Sequence, residues 1–250
     1  MAVALADKLE TLGGLFSIGQ MPTSETDPYA LRRHGLGVIR IGIEDEGYFD
    51  SSSPTLDQWC HEACRPFVDQ RAPEKQGVSV ISSLFGFMLD RLHGYLGTYG
   101  YSRQEVDSVL ALRPVELRRL LPRLAAVRAF ASLPEAAALA AANKRIGNIL
   151  KKADGPVDAH VSEVLLQEPA EKALFAAMQA TLPQAQSQFD AGDFTASLQT
   201  LAALRAPVDA YFDGVMVNAE ALDVRLNRLG TLKSLHVAMN RVADLSRLAS

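Results

Sequence analysis

The sequence predicts an all-α protein, a helical bundle, and three observations predict it. Apolar residues recur at helical spacing in almost every periodic stretch, alternating runs of β-branched residues are nearly absent, and proline or capping residues stand ahead of several apolar stripes. With 250 residues, 48% of them hydrophobic and 22% charged, the chain can bury a sizeable core in one or two domains.

The first stripe is Val3, Leu5, Leu9, Leu12 and Phe16, which stops at the glycine-rich GGLFSIGQMP. Asp27 ahead of Pro28 is an N-cap followed by proline at the first helical position, so TDPYALRRHGLGVIRI opens a second helix. EDEGYFDSSS, residues 44–53, is acidic and serine-rich and reads as a loop bounding a small N-terminal unit. Val80, Leu84, Phe87, Met88, Arg91 and Tyr95 place a long, mostly buried helix over 78–99, stopped by Gly100. Ser102 and Glu105 have capping-box spacing and open the next. Pro114 and Pro134 are expected to start helices and Pro122 to interrupt one. PEAAALAAANKRIGNILKK has high helix propensity and ends in Lys151 and Lys152, where cations favour a helix C-terminus.

After the turn ADGP, helices are expected near 157–166, 169–190, 194–204, 207–217 and 222–248. In the last, Leu222, Leu226, Leu229, Leu232, Leu235, Met239, Val242, Leu245 and Leu248 line a face that is expected to be core. That register displays Arg225, Asn227 and Arg228 outward.

Net charge is −4, which argues against a uniformly basic coat, yet the charges are segregated. Residues 113–152 carry nine cations against two acids, 153–223 carry eleven acids against two cations, and 224–250 carry five cations against Asp244. Two basic segments therefore flank an acidic one. They are either the two halves of a polyanion-binding side or ordinary solvated helix faces. On the alanine-rich helix Lys144, Arg145, Lys151 and Lys152 fall on one face within about two turns, a spacing that suits successive phosphates. Asn143 and Asn148 add donors and acceptors for base edges or sugar hydroxyls.

Catalytic patterns are missing from the sequence. It has no Gly-rich phosphate loop, no nucleophile elbow and no metal-spaced pair among His34, His61, His93, His160 and His236. Cys60 and Cys64 are too few for a disulfide framework or a four-ligand zinc site, and read as ordinary thiols of a reducing compartment. Asp7 beside the apolar face of the first helix would need a partner if buried. No apolar run reaches the roughly 18 residues of a membrane span and no signal segment is evident, so a soluble, cytoplasmic protein without a membrane partner is expected.

Four collinear segments carry a resemblance. ALADKLETLGGLFSIGQMPTSETDPYALRRHGLGVIRI, FMLDRLHGYLGTYGYSRQEVDSVLAL, LAAANKRIGNILKK and FDGVMVNAEALDVRLNRLGTLKSL with RVADLSRL resemble the C-terminal part of the bacterial glycyl-tRNA synthetase β subunit. The likeness covers nearly the whole chain and thins between Glu44 and Gln76.

The resemblance implies a fragment of an α₂β₂ ligase. In such a ligase the α subunit holds ATP, Mg²⁺ and glycine while the β subunit handles glycine tRNA. It implies the end of an HD-like domain over 1–76, with a connecting segment, and a helical anticodon-binding domain of DALR type over 77–250. An HD domain supplies a His, a His-Asp pair and a last Asp to a metal; Asp7 matches only the last, so no catalytic residue, metal or cofactor is expected in this part. The tRNA-contacting residues expected on the domain's helices are Lys144, Arg145, Asn148, Lys151, Lys152, Arg225, Asn227 and Arg228. Phe212, Val215, Met216 and Val217 are expected to pack the bundle. The other reading is a structural module that docks the α subunit or further β domains without reading bases.

Overall fold

A computed structural model describes residues 1–44, 55–68 and 74–249, with side chains outside 68 and 74–79. The described residues form eleven α-helices with short 3-10 turns and no strand, which agrees with the all-α reading. Most of the expected loop at 44–53 lies outside the described residues. The chain divides into two compact units, residues 1–106 with 113–121, and residues 107–112 with 122–250. The sequence reading placed its division at 76/77 instead. In the structure that point falls inside one helix, Glu74–Thr98, which packs on the helices before it.

The first unit is built from α1 (Ala2–Ser17), α2 (Leu31–Ile43), α3 (Leu56–Val68) and α4 (Glu74–Thr98). α1 packs on α2, α3 and α4, and α4 also on α2 and α3. Leu5, Leu12 and Phe16 of the predicted stripe are buried, against Leu31, Val38 and Ile39 of α2 and Leu84, Met88, Leu92 and Leu96 of α4 in one core. Asp27 does cap α2, but from four residues ahead: its carboxylate accepts from the N–H groups of Leu31 and Arg32 at 2.8 and 3.0 Å. The Ser102–Glu105 capping box forms, with bonds of 3.2 and 2.7 Å, and opens α5 (Arg103–Leu110).

α1 and α3 approach so closely that a Cβ on Gly13 would lie 1.9 Å from the Ala63 carbonyl oxygen. Only a residue without a side chain permits that crossing. On α3, Cys60 and Cys64 are buried and unpaired. Burial, followed by the neighbouring Cys64 and Asp57, pushes the Cys60 thiol up to about 12, and burial pushes Cys64 to about 11. Asp57 in the first turn of α3 binds the 113–121 strap, accepting from Arg113 Nη1 and from the Val115 N–H, each at 2.9 Å.

The second unit contains most of α6 (Leu120–Ala131), then α7 (Ala136–Lys151), α8 (Pro169–Asp190), α9 (Phe194–Ala202), α10 (Arg205–Gly214) and α11 (Leu222–Met239). Pro122 does not interrupt a helix; it sits in the first turn of α6, where a missing N–H costs nothing. Residues 157–166 form a loop with one 3-10 turn, Glu163–Leu165, rather than the expected helix. The predicted 222–248 helix stops at Met239, and a 3-10 turn, Leu245–Leu248, follows. α8 has the bounds the sequence predicted and begins with Pro169 behind a reciprocal Glu168–Glu171 capping box.

A buried ion pair joins α8 to α11. Arg228 Nε and Nη2 donate to the two carboxylate oxygens of Glu171 at 2.8 and 3.0 Å, and Arg228 Nη1 donates to the Met216 carbonyl at 2.8 Å. Glu171 is 1% exposed and Arg228 5%. The carboxylate also accepts from the N–H groups of Gln167 and Glu168 at 3.0 and 2.8 Å, so both of its oxygens are engaged. Burial alone would push Glu171 up; the Arg228 guanidinium and those two N–H groups outweigh it and hold the carboxyl below its usual value. Hydrogen bonding to Glu171 raises Arg228. Expected on the surface, Arg228 is therefore a core residue, because α11 buries Val224, Asn227, Arg228, Thr231 and Leu235 and turns Leu222 and Leu226 to solvent at 57% and 52% exposure. Met216, expected to pack, is 73% exposed, while Val215 is buried.

Two outcomes follow. Gly13→Ala should lower the stability of the first unit by about 1–3 kcal/mol through overpacking, read as a shifted urea midpoint in far-UV circular dichroism. Glu171→Gln strands a buried guanidinium and should cost the second unit about 3–5 kcal/mol at neutral pH. The depressed carboxyl contributes stability above the unfolded glutamate value of about 4.3 and loses it as pH falls through the folded value. The gap between wild type and Glu171→Gln should thus shrink as pH is lowered below about 4; a gap independent of pH would remove the carboxylate from the account.

Candidate nucleic-acid interface

α7 owes its length to alanine, leucine and isoleucine, and its orientation to Leu139, Ala140, Asn143 and Ile146, all buried. With that face inward, Lys144, Arg145, Asn148, Lys151 and Lys152 all lie on the outward side of the helix. Four of them, Lys144, Arg145, Asn148 and Lys152, line a shallow cleft of about 440 Å³ whose remaining wall is Ala141, Ile149 and Ala249. Lys151 lies on the same helix outside the cleft. The Arg145 guanidinium stands 4.1 Å over the Phe212 ring of α10, which fixes an otherwise mobile cation. Among the described residues no acidic side chain lines the cleft, so its lining is cationic.

Asn143 is not available for base edges. Its amide is buried and pairs reciprocally with Asn240, at 2.8 and 3.0 Å, and Asn240 Oδ1 also accepts the Leu245 N–H at 3.1 Å. This pairing sets where residues 245–249 return, and so brings Ala249 to the cleft. His236 of α11 lies beside α7, where the Cβ of a residue replacing Gly147 would be 3.3 Å from its Nε2. Burial, then Lys233, lowers the His236 pKa, so the ring adds no charge to the cationic face near neutral pH.

The expected contacts on α11 fare differently. Asn227 is buried, and its side-chain amide clamps the 157–166 loop: Oδ1 accepts the Ser162 N–H at 2.7 Å and Nδ2 donates to the Ser162 carbonyl at 3.0 Å. One turn on, a Cβ at Gly230 would lie 2.1 Å from the His160 carbonyl oxygen, so the loop rests directly on the helix backbone. Asn227 and Arg228 thus do not face solvent; both spend their polar groups inside the unit. Arg225 is half-buried, and its Nη1 donates to the Ala219 carbonyl at 3.4 Å. Sequence reasoning missed Glu171 and Gly230. The signal for Glu171 was its place three residues after Glu168 in a capping box; nothing local marked Gly230.

The clamped loop also walls an apolar cavity of about 540 Å³, floored by Phe175, Met178 and Leu182 and edged by Val237 and Arg241. Asp7 is exposed on α1, so it needs no buried partner. No cluster of three or more metal-ligating side chains occurs among the described residues. No single helix among them is long and apolar enough to cross a membrane.

Comparison with known proteins is consistent with the two-part layout. Residues 1–111 match the family described as glycyl-tRNA synthetase beta subunit, and residues 139–245 match the DALR anticodon binding domain. The glycine–tRNA ligase beta subunit of Polaromonas naphthalenivorans is 60% identical over 250 residues, all of this chain and 34% of the relative. That of Paracidovorax citrulli is 61% identical over 249 residues, again 34% of its length, and that of Methylobacillus flagellatus is 54% identical over 250. The chain spans about a third of the length of these curated relatives. Residues 1–111 of the chain are thus similar to the glycyl-tRNA synthetase beta subunit family, and residues 139–245 to the DALR anticodon binding domain family.

Proposed function

We propose that this chain is the tRNA-binding part of the β subunit of a glycine–tRNA ligase, and that its second unit holds the anticodon end of glycine tRNA. The observation that carries the reading is the outward α7 face, where Lys144, Arg145, Asn148 and Lys152 line a cleft with no acidic side chain among its described residues, within a stretch similar to the anticodon-binding family. Arg145, steadied over Phe212, offers a planar fork to a phosphate, and the lysines offer point charges. Asn148 supplies a donor and an acceptor beside them. Arg225 is the remaining contact on α11, with Asn227 and Arg228 acting as positioning residues for the loop and the helix.

In this reading the chain contributes binding energy remote from the chemistry, which orients the acceptor end toward the α subunit, where ATP, Mg²⁺ and glycine would be held. The α₂β₂ assembly and a cytoplasmic location belong to the same proposal. The chain alone is expected not to charge tRNA. One observation favours a second reading, a docking module for the α subunit or other β domains: Met216, Leu222 and Leu226 expose apolar side chains near the start of α11.

Binding of the 250-residue chain to glycine tRNA, followed by fluorescence anisotropy from low to physiological salt, separates the two. Lys151→Ala with Lys152→Ala should weaken all tRNAs about equally and make the salt slope shallower by roughly 0.7 to 0.9 for each phosphate no longer neutralised. Unaltered affinity and slope would take α7 out of the mechanism and favour the docking module.

A further inference from the structure

α2 and α4 of the first unit lie side by side, and between them runs a groove of about 400 Å³. Arg32 and Arg33 line it from α2, Arg91 and Tyr95 from α4, and Asp90 is the one carboxylate among the described residues of its lining. Past Tyr95 it continues into a second hollow that adds Arg40 and Glu44. α2 carries Arg32, Arg33 and Arg40 and no acid between Leu31 and Ile43.

These cations are not equally committed. Arg32 is held by Asp27 and the Thr23 carbonyl. Arg40 is paired with Glu44 at 3.2 Å, and Glu44 also accepts the Tyr95 hydroxyl at 2.9 Å. Arg33 is exposed and forms no ion pair among the described residues. Arg91 forms none either; its guanidinium lies 5.8 Å from the Phe87 ring centroid, and its Nε is enclosed without an acceptor. Two arginines that form no ion pair among the described residues therefore face one groove, against the single carboxylate of Asp90, and leave its lining net positive. A net positive lining attracts an anion from solution.

The aromatic neighbours narrow the kind of anion. Tyr95 lines both hollows, and Tyr99 packs edge-on against it at 5.3 Å and is 45% exposed. Ring faces beside forked cations suit a sugar–phosphate strand with stackable bases better than a bare carboxylate. Arg33 and Arg40 are seven residues apart on α2, about 10 Å, a span that several phosphates of a nucleic-acid strand can follow. At the floor, Gly94 leaves open space: a Cβ there would meet no atom within 4 Å.

We infer that this groove docks a segment of RNA sugar–phosphate backbone, with Arg33 and Arg91 as its phosphate contacts. The identification of that RNA as tRNA rests on the function proposed above. The first unit then binds RNA through its own surface, separate from α7.

Gly94 supplies the test. Gly94→Glu puts a carboxylate into the open floor without a clash, and Gly94→Gln puts in the same shape uncharged; both favour helix over glycine. In salt-dependent anisotropy with the 250-residue chain and tRNA, Gly94→Glu is expected to weaken binding about tenfold at low salt and Gly94→Gln by less than about twofold. Arg33→Ala should lower the slope by roughly 0.7 to 0.9 and Arg33→Lys should restore it, with unchanged helicity throughout. Affinity and slope of Gly94→Glu and Arg33→Ala equal to those of the unaltered chain would overturn the groove. If the Lys151 and Lys152 replacements still weaken binding in that case, the tRNA reading survives without it; if the unaltered chain binds no tRNA, that reading fails as well. Inorganic phosphate that displaces tRNA more strongly than sodium chloride of equal ionic strength, and only when position 94 is glycine or glutamine, would make this a free-phosphate site and sink the RNA-backbone assignment.

Discussion

A guanidinium and a carboxylate sealed from water set the arrangement of the second unit. Taking Arg228 and Glu171 out of solvent costs several kcal/mol per ion, and the cost is offset because all three guanidinium nitrogens and both carboxylate oxygens find partners in good geometry. Four elements are pinned at that point: the first turn of α8, the Met216 turn, the start of α11 and, one helical step away, the loop that Asn227 holds. Such a pair specifies one register of α11 more than it adds stability. A rotation of the helix that buried Leu222 and Leu226 would leave two charges in apolar surroundings without each other.

That constraint explains what could be read from the sequence and what could not. α8 was legible to both ends because its start is written locally, in Glu168, Pro169 and Glu171. The cationic face of α7 was legible for the same reason: five polar residues share one side of a strong helix former whose other side is, apart from Asn143, alanine, leucine and isoleucine. Arg228 was not, because its partner lies 57 residues earlier in the chain and a charged residue beside leucines looks like a displayed one. The loop at 157–166 has enough apolar residues for a helical stripe, yet its backbone is bound by Asn227 and pressed against Gly230, partners that local spacing does not reveal. The same holds for α4, whose stripe was clear and whose choice of neighbours was not.

A division of labour emerges within α11 and α7. The polar residues of RLNRL, which look like recognition chemistry, serve mainly as internal fasteners, and the plain lysines and arginine of α7 remain at the surface. A rigid support beneath a cationic face is what the proposed role requires, since a charge that must first be ordered gives up part of its binding energy to conformational entropy. Arg145 over Phe212 shows the principle on a single side chain: the ring restricts the guanidinium before any ligand arrives.

The two thiols of α3 bear on how the molecule meets electrophiles. Cys60 and Cys64 are the chain's whole complement of cysteine, and burial keeps both protonated far above neutral pH. Only the thiolate is nucleophilic, so alkylating reagents find almost no target in the folded chain. A single cysteine introduced at an exposed position of α7 would be the one thiol with appreciable anionic character. The protein is thus already suited to carrying a site-specific chromophore with its native cysteines in place, and a rise in their reactivity would report the opening of the first unit alone.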